Sequence, residues 1–154
     1  MVNYVKGDLL ESNCDYICHQ VNCQGAMGSG IAGQIRKRFP EVYASYAELC
    51  MNVGSRRLLG TFDIVGTKGD VTYDVISIFG QYNYGYNGDR YTSYDAFARA
   101  LETLHDWIEP GKTIGFPKGI GCGLGGGNWN VISALIEEYL GKDYEVYIYE
   151  YYGE

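Results

Sequence analysis

Two periodicities alternate along the chain. Val2 to Val5 and Tyr16-Ile17-Cys18-His19-Gln20-Val21 are short apolar runs that predict strands, the second of them central. Ile31, Ile35 and Phe39 then recur every four residues, which marks one face of a helix and leaves Arg36, Lys37 and Arg38 mostly on its wet side. Pro40 stops that helix and opens the next, Glu41 to Met51, because proline suits a first helical turn. Leu59 to Val65 and Val71 to Phe79 predict two further strands, with a hairpin around Gly69-Asp70. Phe97, Leu101, Leu104 and Ile108 mark a helix that starts near Thr92 or Ser93 and ends at Pro110-Gly111. Thr113 to Phe116 is a short strand. Asn128 caps a helix carrying Trp129, Ile132, Leu135, Ile136 and Leu140, Gly141 ends it, and Tyr144 to Tyr151 closes the chain as a strand. Strands alternating with helices predict an α/β domain with helices on both faces of a sheet, and the hairpin makes that sheet mixed.

The length of 154 residues suits one domain spanning 1–154, with no repeat or linker to divide it. The apolar share of 46% excludes disorder, and no apolar run reaches membrane-spanning length. Met1 to Lys6 lacks the charged-then-apolar layout of a secretory signal, and five irregularly spaced cysteines do not make a disulfide framework. A cytoplasmic location is therefore expected. The net charge of −7 argues against nucleic acid as a partner, with the basic run Arg36 to Arg38 as the one local exception.

The 22 glycines are clustered. One cluster, Asn22 to Gly30, lies between a predicted strand and the helix starting near Ile31. The other, Gly119 to Gly127, lies between the strand ending at Phe116 and the helix starting near Trp129. Glycine admits positive φ and close approach of an anion to backbone amides, and a helix N-terminus adds free N–H groups. Two such loops at the carboxyl ends of strands predict a grip on one phosphate-rich ligand from both sides. Both loops match Gly-x-Gly-x-x-Gly, at Gly28 to Gly33 and at Gly121 to Gly126. The first sits too far past its strand and lacks the ribose-binding acid, so a dehydrogenase is rejected. Cys122 is not a phosphate-loop nucleophile, because residue 128 is Asn where Cys-x5-Arg needs arginine. Cys18 and His19 are neighbours on a strand and point apart, which argues against a zinc site with Cys14 and Cys23. No metal and no cofactor are expected.

The chain resembles the macrodomain family, an ADP-ribose-binding α/β/α module, over nearly its whole length. The resemblance runs through Gly7-Asp8-Leu9-Leu10, then His19-Gln20-Val21-Asn22-Cys23-Gln24-Gly25-Ala26-Met27-Gly28-Ser29-Gly30-Ile31-Ala32. It continues through Pro117, Gly121-Cys122-Gly123-Leu124 and Trp129, and ends with Val146-Tyr147-Ile148-Tyr149. It is greatest for the branch holding the terminal ADP-ribose protein glycohydrolase and the yeast-type ADP-ribose 1''-phosphate phosphatase, where bacterial and phage relatives are common.

The resemblance implies a three-layer α/β/α sandwich on a mixed six-stranded sheet, and ADP-ribose or its 1''-phosphate as ligand. It implies that Asp8, beside Leu9, accepts from the adenine amino group, and that Tyr149 flanks the adenine. Asn22 would hold the distal ribose. Gly25, Met27, Gly28, Ser29, Gly30 and Ile31 would line the ribose and diphosphate. Pro117, Gly119, Ile120, Gly121, Cys122, Gly123 and Leu124 would wrap the diphosphate from the other side. The phosphatase relatives carry a histidine three residues before the loop asparagine, and His19 holds that place, so His19 and Asn22 are the expected catalytic pair for hydrolysis of ADP-ribose 1''-phosphate. His19 and Asn22 differ by an odd number, so both reach the ligand only if the strand ends or bulges before Asn22.

The glycohydrolase relatives use a lysine at the end of the middle strand and an aspartate after Gly-Cys-Gly-Leu. Here Ile78-Phe79-Gly80-Gln81 and Gly125 stand in those regions, and nearby Lys118 lies in a longer stretch that is not aligned with that lysine. The alternatives are a non-catalytic ADP-ribose reader, or a hydrolase removing ADP-ribose from modified protein or nucleic acid by another arrangement. Gln81 to Gly88, rich in tyrosine, is either an aromatic lid over the distal ribose or a polar surface loop, and its glycines and asparagines allow both.

Overall fold

The computed structural model describes residues 1–151; the expected domain end, 152–154, lies outside the described residues. Six strands form one sheet: β1 (Val2–Lys6), β2 (Tyr16–Asn22), β3 (Phe62–Val65), β4 (Asp74–Gln81), β5 (Thr113–Pro117) and β6 (Glu145–Glu150). Their order is β1-β6-β5-β2-β4-β3, and only β3 runs antiparallel to its neighbour. The helices are α1 (Gly30–Arg38), α2 (Pro40–Asn52), the short α3 (Ser55–Leu58), α4 (Tyr94–Trp107) and α5 (Trp129–Leu140), with a 3-10 turn at Leu9–Glu11.

Alternation along the strands sorts their side chains to two cores. Cys18, Ile76, Ile78, Ile114, Phe116, Val146 and Ile148 pack against α4 and α5. Ile17 and Val75 pack against Ile35, Phe39 and Val42 of α1 and α2, while Val21 and Phe79 meet Tyr46 and Met27. The molecule is thus an α/β/α sandwich. Both faces of β2 and β4 are covered, which is why those strands read as apolar runs rather than alternating ones.

Several boundaries differ from the sequence expectation. The run from Leu59 is not strand at its start. Ser55–Leu58 is helical, Gly60 turns at φ 87°, and β3 begins only at Phe62. The strand expected from Val71 begins at Asp74, because Tyr73 turns inward and donates its hydroxyl to Leu10 O. It also runs on to Gln81. Ser93 is the α4 cap, accepting from Ala96 N, and Ile108 is the first residue past that helix. The last strand ends at Glu150.

The break that matters for the site is at the end of β2. Val21 pairs with Phe79 and Asn22 with Gln81, so Gly80 is the extra residue of a bulge. A side chain at Gly80 would begin 2.2 Å from Gln20 Oε1, so the Gln20 carboxamide lies across the glycine.

Candidate ligand-binding cleft

The two glycine loops face each other across the carboxyl ends of β2 and β5. Between them lie two cavities, of about 230 and 310 Å³, that share Ile31 and Gly123 in their linings. The outer cavity carries Asp8, Leu9, Pro117, Gly119 and Tyr149. The inner chamber is lined by Asn22, Met27 to Ile31, Ile120, Gly121, Gly123 and Leu124. These residues come from five separate segments of the chain.

Asp8 has two roles. Its Oδ1 accepts from Leu10 N at 3.0 Å and caps the 3-10 turn. Its second oxygen has no partner among the described residues and belongs to the outer cavity wall. Tyr149 is half-buried on that wall, and burial raises its phenol pKa. Gly7, Gln34, Lys118 and Tyr151 also line this end, and none of them was expected there. Lys118 lies 3.6 Å from Glu150 Oε2 and reaches the cleft because its backbone N–H bonds Tyr149 O.

Asn22 holds its own loop. Its Oδ1 accepts from Gln24 N at 2.9 Å and lies 2.9 Å from Tyr46 Oη, while Nδ2 donates to Ala26 O at 2.7 Å. One Nδ2 hydrogen is left for the chamber. Burial pushes the Tyr46 phenol pKa up, so that hydroxyl stays protonated. Ser29 precedes α1 without a side-chain cap bond, so the first N–H groups of α1 open into the chamber. In the second loop, Gly119 and Gly121 turn at φ 81° and 74°, and the amides of Gly121, Gly123 and Leu124 have no backbone acceptor among the described residues. Unpaired amides in such a loop are free to receive an anion. The second loop does not work through a helix N-terminus: Asn128 Oδ1 caps α5 through Asn130 N, and that end lies outside both cavities.

Three expected contacts are corrected. His19 does not reach the cleft. It follows Ile17 and precedes Val21 on the face packed against α1 and α2, is fully buried, and bonds Ser77 Oγ through Nε2 at 2.7 Å. The bulge lies beyond it, on β4, and leaves His19 facing the helices. Burial lowers its pKa to about 4, so the ring is neutral near pH 7 and is not an imidazolium acid there. Gly25 lines neither cavity; its amide N–H is spent on Tyr46 Oη at 3.1 Å. Cys122 turns away, with its thiol against Ile120 O, and burial raises its pKa.

The inner chamber gains a wall that only the tyrosine segment hinted at: Tyr84, Gly85 and Tyr86, with the Tyr86 hydroxyl 3.3 Å from Ser29 Oγ. Its floor is a carboxamide network. Gln20 Nε2 donates to Gln81 Oε1 at 2.8 Å and Thr92 Oγ1 at 2.9 Å, and Thr92 donates to Gly121 O. No carboxylate, ammonium, guanidinium or imidazole lines this chamber. At Gly125 a Cβ would lie 2.7 Å from both Gly121 O and Thr92 Oγ1, so no longer side chain fits there without moving the loop.

The family model described as Macro domain matches residues 18–136. An uncharacterized 17.5 kDa protein of Enterobacteria phage T4 is 31% identical over 151 residues, covering 92% of both chains. The chain belongs to the macro domain family. Other relatives of this macro domain match shorter stretches. An ADP-ribose 1''-phosphate phosphatase of Meyerozyma guilliermondii is 32% identical over 113 residues, 70% of this chain and 62% of that one. A DNA ADP-ribosyl glycohydrolase of Mycobacterium bovis is 32% identical over 77 residues, 47% of this chain but 22% of its own length. The macro domain thus spans only part of these enzymes. In fold it is similar to the macrodomain of Mycobacterium tuberculosis DarG, with a TM-score of 0.81 at 24% identity over 97% of each chain.

Among the described residues, no helix is long and apolar enough to cross a membrane, and no cluster of three or more His, Cys, Asp or Glu could hold a metal ion.

Proposed function

We propose that this macro domain binds ADP-ribose, with adenosine in the outer cavity and the distal ribose in the inner chamber. The observation that carries the reading is the pair of cavities that share Gly123 and Ile31, with a carboxylate in the lining of one and only neutral groups in the lining of the other. A carboxylate oxygen accepts from an exocyclic amine. Unpaired loop amides and the α1 N-terminus offset diphosphate charge, so a chain of net charge −7 still has a local anion site. ADP-ribose is expected to bind at least tenfold tighter than AMP by calorimetry, because AMP leaves the inner chamber empty; equal affinities would end this assignment.

Asp8→Asn keeps an oxygen for the Leu10 cap and turns an N–H toward the adenine amine. It is expected to weaken ADP-ribose binding by about 1–3 kcal/mol, the cost of a lost charge-assisted bond. Its melting temperature should match wild type. Asp8→Ala also loses the cap and should lose about 1 kcal/mol of stability.

A second reading, hydrolysis of ADP-ribose 1''-phosphate, is favoured by the relatives named as phosphatases and by the donors around the ribose position. Positioning and amide donors facing the phosphate oxygens would supply the rate gain. With no carboxylate, ammonium or imidazole in the chamber, turnover is expected to be slow, and its pH profile, including the inflection at about pH 6 from the substrate's own phosphate monoester, is expected to be the same in wild type and His19→Gln. Phosphate release per bound substrate should be the same for wild type and His19→Gln. A tenfold loss at equal affinity would restore His19 to the chemistry.

For a glycohydrolase acting through a lysine adduct the chamber offers no lysine, since Ile78-Phe79-Gly80-Gln81 stands in the region where the resemblance places it, and Gly125 has no room for the aspartate.

A further inference from the structure

The outer cavity carries a charge that adenosine does not call for. Among the described residues, Lys118 is the only cationic side chain that lines either cavity. An ammonium offers three donors and no acceptor. An anion satisfies it, whereas a ribose hydroxyl uses only part of that capacity and leaves the charge uncompensated.

Position decides which anion Lys118 meets. Pro117, just before it, is the register partner of Tyr149 on the adenine flank, and Gly119, just after it, opens the second loop. The Lys118 N–H is bonded to Tyr149 O at 2.9 Å, which fixes where the side chain starts. Lys118 lines the outer cavity and not the inner chamber, while Gly123 and Ile31 are common to both. In the proposed binding mode the diphosphate crosses at those shared residues, so the part of the ligand beside Lys118 is the adenosine ribose. Two neutral donors border the same cavity. Gly119 turns at φ 81°, and its N–H has no backbone acceptor among the described residues. Gln34 brings a carboxamide from α1. Asp8, the one carboxylate in this wall, is engaged by the adenine amine in that mode.

The protein holds the ammonium only loosely. Lys118 Nζ lies 3.6 Å from Glu150 Oε2, beyond hydrogen-bond length, and the two side chains are 41% and 53% exposed. Glu150 lines neither cavity, and Lys6 is its register partner on β1. A dianionic phosphate can draw the ammonium from Glu150 and leave that carboxylate in solvent, with no buried charge stranded.

We propose that Lys118 forms a subsite for a phosphate ester on the adenosine ribose, so that the macro domain prefers adenosine ligands phosphorylated at the 2' or 3' hydroxyl over their unphosphorylated counterparts. The proposal rests on the adenosine part of ADP-ribose occupying the outer cavity. The 2'- and 3'-esters share the chemistry.

The test is calorimetry on the full chain with two pairs of probes that differ only in the ester: ADP-ribose against ADP-ribose 2'-phosphate, and AMP against adenosine 3',5'-bisphosphate. In at least one pair the phosphorylated member is expected to bind roughly fivefold or more tighter, and the pair that shows the gain identifies the hydroxyl. The affinity ratio within that pair should fall to near one in Lys118→Met. In Lys118→Arg, which keeps the charge, most of the ratio should remain. No gain from the ester in either pair, or a gain that Lys118→Met leaves in place, would overturn the subsite while leaving the ADP-ribose reading intact. No binding of ADP-ribose to wild type would overturn that reading, and the subsite with it.

Discussion

Gly123→Val is expected to abolish ADP-ribose binding in a protein that folds normally. Gly123 lines both cavities, so in the proposed binding mode its side-chain position lies where the diphosphate crosses from one to the other. A Cβ there meets nothing within 4 Å, and the residue is not in the positive-φ region. The native state therefore tolerates the branched side chain, and stability should stay within about 0.5 kcal/mol of wild type. The ligand meets two added methyl groups where it needs bare amides. Loss of one or two charge-assisted bonds, each about 1.5–3 kcal/mol, by itself lowers affinity by roughly tenfold at the least, and the steric clash adds to it. Calorimetry beside a thermal melt separates the two quantities. Retained binding in folded Gly123→Val would show that the second loop is only a turn. Gly121 supplies the contrast. At φ 74°, with Gln20 Oε1 3.0 Å from its Cβ position, Gly121→Val should lose stability as well as affinity.

Acid is expected to destabilise the fold through His19. Its folded pKa of about 4 lies below the ordinary imidazole value of 6.5, because burial opposes the charged ring. Between those two values the unfolded chain binds the proton and the folded chain does not. The contribution is therefore complete above about pH 6.5, shrinks as pH falls, and is gone below about pH 4. A shift of this size corresponds to roughly 3 kcal/mol over the window, and to about 2 kcal/mol between pH 7 and pH 5. Urea unfolding at pH 7 and pH 5 reads it directly, and His19→Gln should flatten that interval. Asp15, whose carboxylate pKa is lowered by its bond from Thr113 N, acts only below the ordinary carboxylate range. The two contributions are thus separable by pH. Equal slopes for wild type and His19→Gln would show that the ring is not held neutral by the fold.

The buried histidine also marks where one-dimensional reasoning reaches its limit. Its spacing from Asn22 leaves open whether a bulge brings both to the ligand. The structure has the bulge, but its extra residue, Gly80, is on β4; His19 stays facing the helices, while Asn22, of the same parity as Gln20, lines the chamber. Strand parity was the right concern, and the inward packing of β2 decided it. Gln20, one residue away on the opposite face, enters the chamber instead. A polar side chain adjacent to an expected site residue in a central strand is the only advance signal it carried.

What the chain determines by itself is whatever depends on neighbours in sequence. Period-four apolar positions place α1, Pro40 separates it from α2, and Ser93 and Asn128 cap their helices. The glycine clusters between strand and helix place both anion loops, because local backbone freedom and strand-to-helix order are sequence properties. The tertiary structure alone decided which surfaces of those loops face one another. Asn22 and Gly25 are both bound to Tyr46, so the first spends most of its amide and the second its N–H on the protein. Cys122 points inward while Gly121 and Gly123 on either side line the cleft. Tyr84 and Tyr86 become a rim only because Gln81, at the end of β4, lies beside Asn22 at the end of β2. Hydrogen-bond capacity is finite, and each polar group's partner is set by long-range packing, so the sequence names the candidates and the fold assigns what each has left for a ligand.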